Sequence, residues 1–338
     1  MTPTAFTGVA QARQLLPPVL RDWVGRLGGE LSRICGYQLG LCDAQGKPVR
    51  GDAGKLIRPA FSLMCSAAAG GDVADALPVG AAIELLHNAS LIHDDIMDGD
   101  RSRRHRPTAW VQFGVAQALL AGDALIALGF EVLASRRHPA APSSVAELAR
   151  TLRRLAIGQQ SDLRFESEQN IGIEDCLAML DGKTGALLGC ACRLGVSQAA
   201  VPPDWADRFE LFGSHLGVAF QLVDDVLGIW GDPAVTGKPV GSDLRARKKS
   251  APVVAALLAG TTASKRLARL YASPDDLSDD QVTVLAELVE DAGGRRWALA
   301  EADRRVSTAW ELLDRLDLDA TGRRGLAELT DALTARRY

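Results

Sequence analysis

Apolar residues recur at intervals of three and four along most of the chain. The pattern is clearest over residues 145–166 and 297–316. Residues 143–201 and 275–338 also contain no proline, which is excluded from helix interiors, so these stretches permit long helices. Alternating patterns flanked by Asn-Gly or Asp-Gly turns are hard to find, and no hairpin is predicted. The pattern indicates an all-α chain with about ten or more helices.

Short breaks rich in glycine, proline and aspartate separate these periodic stretches. They fall at residues 40–54, 70–72, 136–144, 201–204, 231–243 and 272–280. None is long enough for a flexible interdomain linker, and no repeat of about 20 to 50 residues stands out. We therefore expect one large helical domain over residues 1–338, with the first dozen or so residues loosely ordered.

Composition narrows the class of protein. Of 338 residues, 47% are hydrophobic and 24% are charged, which is typical of a globular protein rather than a disordered one. The net charge of −4 disfavours a globally basic nucleic-acid binder. No window of about 18 apolar residues is evident, so we expect no membrane span. The N-terminus has no basic region followed by an apolar core, so we expect no signal peptide. Six cysteines without a CxxC pair indicate reduced thiols in the cytoplasm.

The first cluster of candidate functional residues lies in residues 80–108. Asp94 and Asp98 are four residues apart, so they share one helix face about 6 Å apart along the axis. Two like charges at this spacing favour a hard cation such as Mg²⁺, which takes carboxylate, water and phosphate oxygens. The alternative is a helix end running into a charged loop. His87 precedes Asp94 by seven residues on the same face, unless it is simply a core histidine.

A second acidic pair follows an apolar helical run in residues 219–232. Asp224 and Asp225 form the pair, but the position four after Asp224 is Gly228 rather than an acid. Asp232 lies beyond, where glycine and proline are expected to end the helix. The second cluster is therefore predicted to supply one firm metal ligand, Asp224, with Asp225 in support.

Basic residues follow each acidic cluster. They are Arg101, Arg103, Arg104 and Arg106 after the first, and Lys238, Arg245, Arg247, Lys248 and Lys249 after the second. An acidic cluster followed by a basic one suits a polyanion that is held by a metal ion and by cationic side chains. A charged, solvent-exposed surface would give the same sequence pattern. Neighbouring carboxylates and the lack of stacking aromatics disfavour nucleic acid. A third basic element places Lys55 and Arg58 three residues apart, on one face of a predicted helical turn.

Seven segments in order resemble the motifs of the polyprenyl synthetases, the head-to-tail trans-isoprenyl diphosphate synthases, and most closely a geranylgeranyl diphosphate synthase. They are GKLIRP (54–59), LLHNASLIHDDIMD (85–98), RRHRPT (103–108), GD (122–123), KTG (183–185), FQLVDD (220–225) and GKPVGSDLRARKKSAP (237–252). The resemblance implies an all-α bundle of the isoprenoid synthase type around a central apolar cavity, and a homodimer. It also implies a reaction in which an allylic diphosphate ionises and its cation alkylates isopentenyl diphosphate.

The resemblance also assigns roles to individual residues. Three Mg²⁺ ions would be held by Asp94, Asp98 and Asp224, with Asp95 and Asp225 as supporting acids. The allylic diphosphate would be bound by Arg103, Lys183, Lys238 and Lys248. Isopentenyl diphosphate would be bound by Lys55, Arg58, His87 and Arg104. Thr184 and Gln221 match polar groups near the nascent cation. Two positions depart from the family: Gly228 replaces an aspartate, and His105 replaces a glycine.

Small side chains before the first acidic cluster bear on product length. Ala89 and Ser90 lie five and four residues before Asp94, and Ala89 and Leu86 lie about 7 and 12 Å along the helix axis from it. Small residues there leave room for a further isoprene unit, so we expect geranylgeranyl diphosphate (C20), with C15 or a longer product as alternatives. A class I terpene cyclase or a non-catalytic subunit are the competing functions. Neither Asn88 nor Asn170 begins the second metal motif of a cyclase.

Overall fold

The computed structural model describes residues 7–49, 54–168, 170–232, 241–273 and 277–334. Within these ranges the chain forms sixteen α-helices, one π-helical turn and two strands of two residues each. The prediction of an all-α fold is therefore confirmed.

The helices before residue 170 carry the first acidic cluster and the basic residues around it. They are α1 (Thr7–Gly25), α2 (Gly29–Gln38), α3 (Ile57–Ala68), α4 (Val73–Met97), α5 (Ala109–Phe113), α6 (Val115–Ala134) and α7 (Ala141–Ser167). Between α4 and α5 lie strands β1 (Ser102–Arg103) and β2 (Arg106–Pro107).

The later helices carry the second acidic cluster. They are α8 (Ile173–Leu180), α9 (Ala186–Val196), α10 (Pro203–Trp230), α11 (Ser242–Arg245), α12 (Ala251–Leu258), α13 (Thr262–Tyr271), α14 (Asp279–Asp291), α15 (Gly294–Leu313) and α16 (Ala320–Thr334). The π-helical turn, Asp181–Gly185, joins α8 to α9.

The two longest predicted helical stretches are present. Residues 145–166 lie within α7, and residues 297–316 overlap α15, which ends three residues earlier, at Leu313. Residues 7–12 form the first turns of α1, in contrast to the loose ordering expected for the start of the chain. Residues 1–6 lie outside the described ranges.

The prediction of no hairpin is wrong for residues 102–107. Strands β1 and β2 pair antiparallel, with Ser102 opposite Pro107 and Arg103 opposite Arg106. The two turn residues, Arg104 and His105, have φ angles of 52° and 60°. Positive φ at both positions suits a tight two-residue hairpin, for which Asn-Gly is the usual signal. The signal is missing because two ordinary residues adopt the left-handed conformation.

The chain divides into two compact units, each built from separate segments. Unit 1 comprises residues 1–152, 187–210 and 316–329, and unit 2 comprises residues 153–186, 211–315 and 330–338. The single domain expected over residues 1–338, and its central cavity, stay predictions.

Unit 1 is organised around α4. This helix packs against α3 and α6, and α1 packs against α3. Residues Ala81, Ala82, Ile83 and Leu85 of α4 are fully buried, so its middle is buried on every side. A helix of this kind is stabilised by its neighbours on all faces. Its polar end therefore projects from a well-anchored support.

Unit 2 contains two hydrophobic clusters that share α12. One joins α8, α10 and α15 through residues such as Met179, Leu222 and Ala302. The other joins α13 and α14 through Leu267 and Leu285. Phe212 of α10 also meets Trp310 of α15 edge to face, with ring centroids 5.4 Å apart. These contacts fix the part of α10 that carries Asp224 and Asp225.

Helix α6 bears on the sequence expectation of no membrane span, which stays a prediction. It is long and apolar enough to cross a membrane by length and composition, properties that core helices of soluble proteins share. One face packs along α4 and α2, whereas Val115, Leu119 and Leu120 on another face are 43–53% exposed. The six cysteines are free thiols, and five of them are buried.

Candidate active site

The first acidic cluster stands at the C-terminal end of α4. Asp72 caps the start of this helix by accepting a hydrogen bond from the Ala74 N–H at 2.8 Å. At the other end, the N–H of Asp98 donates to the Asp94 carbonyl at 2.8 Å, so these two aspartates are one helical turn apart, as predicted. Asp94 is half-buried and Asp98 is exposed. Both carboxylates are therefore accessible to a shared ligand and to water.

Asp95 has a different environment from its two neighbours. It is 1% exposed, and its Oδ1 accepts from Nε and Nη2 of Arg103 at 2.7 and 2.6 Å. Burial raises the pKa of Asp95, and the hydrogen bond and charge of Arg103 oppose that shift. One carboxylate oxygen is thus engaged by Arg103, and the buried Oδ2 has no hydrogen-bond partner among the described residues. The immediate role of Asp95 is to hold Arg103 beside the acidic cluster.

The four residues expected to bind isopentenyl diphosphate occupy two settings. Arg58, in the first turn of α3, donates from Nη1 to Nε2 of His87 on α4 at 3.1 Å. Lys55 is exposed and precedes α3, so the prediction that Lys55 and Arg58 share a helical turn is wrong. The reason is the left-handed conformation of Leu56, whose φ is 50°. Arg104 packs against Gly54, where an added Cβ would collide with its guanidinium.

His87 is neutral in this setting. Burial lowers its pKa well below 6.5, and the charges of Arg58, Arg104 and Arg103 lower it further. Because Arg58 has only donors, Nε2 of His87 accepts and its proton belongs on Nδ1. The histidine therefore orients Arg58 and keeps one donor of its own.

Sequence reasoning missed the acid that faces this cationic group. Glu84 is 3% exposed, and Asn88 donates to its Oε1 at 2.8 Å and to its carbonyl at 2.9 Å. Burial raises the pKa of Glu84, while Asn88 and the charges of Arg104 and Arg58 oppose the shift. The available signal was a lone carboxylate inside the apolar run of α4.

The three residues predicted to determine product length, Leu86, Ala89 and Ser90, lie on α4 close in sequence to His87. Leu86 and Ala89 are 1% and 0% exposed. Ser90 is half-buried, and its hydroxyl donates to the His87 carbonyl at 2.8 Å. The two apolar side chains thus lie inside unit 1, whereas Ser90 is partly accessible.

The π-helical turn of unit 2 presents Lys183 and Thr184. Nζ of Lys183 lies 2.6 Å from Oδ2 of Asp162 on α7, and the hydroxyl of Thr184 donates to Oε1 of Gln221 on α10 at 3.0 Å. Turns of π-helix inside α-helices are frequent at functional sites. Asp162 was not predicted, because its pairing with Lys183 spans 21 residues and leaves no local pattern.

Asp225 holds the side chain of Gln221 by a hydrogen bond. Gln221 donates to its Oδ1 at 2.9 Å, and the Ala251 N–H donates to its Oδ2 at 3.0 Å. It is 3% exposed, and burial raises its pKa to about 6. Both oxygens are therefore taken by donors of the protein. The adjacent Asp224 is exposed and is the more accessible carboxylate of the pair.

The remaining predicted cations are only partly placed. Lys248 is exposed, and its charge lowers the pKa of Asp225 against the effect of burial. Lys238 lies outside the described residues. In the part of the chain that the structure describes, no group of three or more His, Cys, Asp or Glu side chains is arranged to hold a metal. Accessible carboxylates at Asp94, Asp98 and Asp224 still suit Mg²⁺, which keeps water and phosphate ligands beside one or two carboxylates.

Known proteins share this chain's sequence and fold. The polyprenyl synthetase family model matches residues 46–289. A (2E,6E)-farnesyl diphosphate synthase of Mycobacterium tuberculosis is 42% identical over 98% of this chain and 92% of its own. A geranylgeranyl diphosphate synthase of the same organism is 43% identical over 88% of this chain and 86% of its own.

A solved structure also shares the fold of this chain. The crystal structure of a polyprenyl synthetase from Streptomyces coelicolor A3(2) superposes with a TM-score of 0.92 at 43% identity, covering 98% of this chain and 99% of that one. The family match over residues 46–289 and the fold match over 98% of the chain agree. The chain therefore belongs to the polyprenyl synthetase family and is a trans-isoprenyl diphosphate synthase.

Proposed function

We propose that this chain joins an allylic diphosphate to isopentenyl diphosphate by Mg²⁺-dependent ionisation and head-to-tail alkylation, with geranylgeranyl diphosphate as its product. The proposal rests on one arrangement that both aspartate pairs, 94–95 and 224–225, have in common. In each, one acid is accessible, Asp94 or Asp224, while the next acid is buried and fixes a polar group. Asp95 fixes Arg103 and Asp225 fixes Gln221.

Fixed donors are what the first step requires. Breaking the carbon–oxygen bond of the allylic substrate leaves negative charge on diphosphate, which preorganised cations stabilise where it develops. Arg103, Lys183, Lys238 and Lys248 are the residues we assign to that diphosphate. Bound Mg²⁺, held by Asp94, Asp98 and Asp224, would neutralise further phosphate charge as a Lewis acid. A solved relative from Corynebacterium glutamicum, 26% identical with a TM-score of 0.78, is a complex with isoprenyl diphosphate and magnesium.

The acceptor substrate is assigned to unit 1. Lys55, Arg58 and Arg104 supply positive charge for isopentenyl diphosphate, and neutral His87 adds a donor without a further charge. Thr184 and Gln221 present oxygen atoms that suit the allylic cation. The departing diphosphate takes the final proton, so this scheme assigns no side-chain base.

Product length is assigned from side-chain size. Similarity does not discriminate, because the farnesyl and geranylgeranyl relatives are 42% and 43% identical. Ala89 and Ser90 are small, so the wall before Asp94 admits a chain longer than C15. If the product were C15 or longer than C20, the side chains that close the end of the product tunnel would lie on other helices.

Assembly and location complete the proposal. Val115, Leu119 and Leu120 form an exposed apolar face on α6, and apolar faces of this kind are typical of contacts between subunits. We assign this face to a second copy of the chain, in a homodimer. Free, mostly buried thiols suit a reducing cytoplasm.

A chain-length assay tests the function. Purified protein is incubated with Mg²⁺, isopentenyl diphosphate and a C5, C10 or C15 starter, and the dephosphorylated products are separated by chromatography. We expect C20 alcohol, loss of product with a chelator, and a fall of about 10²-fold or more for D94A and D224A. D22A, which removes an exposed carboxylate paired with Arg26, is the matched control. Hydrocarbon release from an allylic diphosphate alone would instead favour a cyclase.

A further inference from the structure

The π-helical turn Asp181–Gly185 is held at its first residue by a bridging carboxylate. Oδ2 of Asp181 accepts from Nη2 of Arg154 on α7 at 2.9 Å. Its Oδ1 accepts from the hydroxyl of Ser214 on α10. Both partners belong to unit 2, and both Asp181 and Arg154 are about one third exposed. One side chain thus ties the turn to two separate helices.

Glycines bring the backbone of the turn close to the same two helices. A Cβ on Gly158 of α7 would collide with the backbone of Gly182 and Lys183. A Cβ on Gly217 of α10 would lie 2.7 Å from the Cα of Gly185. Backbone contact of this kind holds the turn close to both helices, but no side chains interlock at these glycines. The position of the turn along α7 and α10 then depends on the few polar contacts that set the register.

These contacts form a series along both helices. On α7 the turn meets residues 154, 158 and 162, and on α10 it meets residues 214, 217 and 221. Asp181 makes the contacts at residues 154 and 214. Lys183 and Thr184 make those at residues 162 and 221. On each helix, the contact made by Asp181 therefore lies about two helical turns from the contact made by Lys183 or Thr184.

We infer that Asp181 is a positioning residue, which sets where Lys183 and Thr184 stand for the ionisation of the allylic diphosphate; this inference rests on the proposed function. The charged bridge to Arg154 and Ser214 fixes the start of the π-helical turn. A shift of the turn by a fraction of a residue would move Nζ of Lys183 away from the developing charge. Misplacement of about 1 Å can cost about 10²-fold in rate.

The test compares three substitutions in the full-length protein. D181A removes the bridge, D181N keeps its size and one acceptor, and S214A removes one of its partners. Steady-state kinetics yield kcat and the KM of each substrate per folded molecule, with the folded fraction taken from circular dichroism. Hydrogen–deuterium exchange at residues 181–186 reports the turn without reference to catalysis. D22A again controls for the loss of an exposed ion pair.

We expect D181A to lower kcat by about 10- to 100-fold while the KM of isopentenyl diphosphate changes less than about twofold. D181N should recover most of that loss, and the D181A/S214A double variant should be no worse than D181A, because both changes remove one shared interaction. Amide exchange in the turn should rise in D181A and stay unchanged in D22A.

Two results would overturn the inference. One is a D181A enzyme with kcat within about twofold of the parent. The other is a loss of activity that only follows the folded fraction, with unchanged exchange in the turn. If the parent protein makes no prenyl diphosphate, the proposed function fails instead, while the exchange measurement still decides whether Asp181 holds the turn.

Discussion

The carboxylate of Asp243 occupies the space that a side chain at position 228 would fill. A Cβ built on Gly228 of α10 would collide with Oδ2 of Asp243 on α11. Gly228 follows Asp224 by one helical turn, the spacing that separates Asp94 from Asp98 in the first cluster. The second cluster lacks an acid at that position in its own helix, and the structure brings one there from another helix.

This relationship predicts the effect of restoring an aspartate at position 228. G228D would place two carboxylates in one space, so we expect the free energy of unfolding to fall by about 1–3 kcal/mol. Removing the competing side chain in G228D/D243A should recover at least half of that loss. Urea unfolding of the parent, the two single variants and the double variant measures the coupling. Additive effects of the two substitutions would show that the side chains do not compete.

Local spacing predicted the parts of the site that lie within one element. The long helices over residues 145–166 and 297–316 were found from periodicity, because an amphipathic face repeats along a single segment. The Asp94–Asp98 pair followed from the helix repeat in the same way. The start of α3 was missed, since the left-handed residue Leu56 separates Lys55 from the helix without any glycine or proline at that position.

Partners from different helices could not be predicted from spacing. Asp162 pairs with Lys183, and Asp181 with Arg154, across 21 and 27 residues. Such pairs depend on how helices pack, which a single sequence does not encode as a period. The placement of Asp243 against Gly228 is of the same kind. The motifs therefore supplied the candidate reactive residues, and the structure supplied the residues that contact them.

The hairpin turn offers a test of backbone strain. His105 has a φ of 60° and is exposed, so its conformation costs more for an L-residue than for glycine. H105G should raise the free energy of unfolding by about 0.5–1 kcal/mol, since relief of strain outweighs the extra entropy of the unfolded chain. Thermal unfolding measures the change. H105V is the control and should destabilise, because a β-branched residue is poorly tolerated at positive φ; equal stability of all three proteins would contradict the argument.

The neutral state of His87 predicts a dependence of stability on pH. Its pKa in the folded protein lies well below 6.5, lowered by burial and by Arg58, Arg104 and Arg103. As the pH falls below about 6.5, the unfolded chain takes up a proton at this residue and the folded chain does not, so stability present at neutral pH is lost. The loss from this group is about 1.4 kcal/mol per pH unit until the folded pKa is reached.

H87Q isolates that contribution. Glutamine can accept the hydrogen bond from Arg58 but does not titrate, so the difference in unfolding free energy between the two proteins should narrow as the pH is lowered from 7 to 5. Burial and the charges of Arg305 and Arg304 also lower the pKa of His215; His215 is present in both proteins and cancels. Parallel stability curves for the parent and H87Q would show that His87 titrates normally in the folded state.

Substitution of Ala89 tests the assignment of product length. Ala89 is fully buried on α4, and we expect A89F to shorten the product from C20 toward C15, because a bulky ring there would close the space for the last isoprene unit. Chromatography of the dephosphorylated products measures the shift. A81F is the packing control: Ala81 is also fully buried on α4, two turns nearer its start, and overpacking there should lower the melting temperature without changing product length. If A89F behaves like A81F, losing stability while still making C20, Ala89 is a core residue and the end of the tunnel lies on another helix.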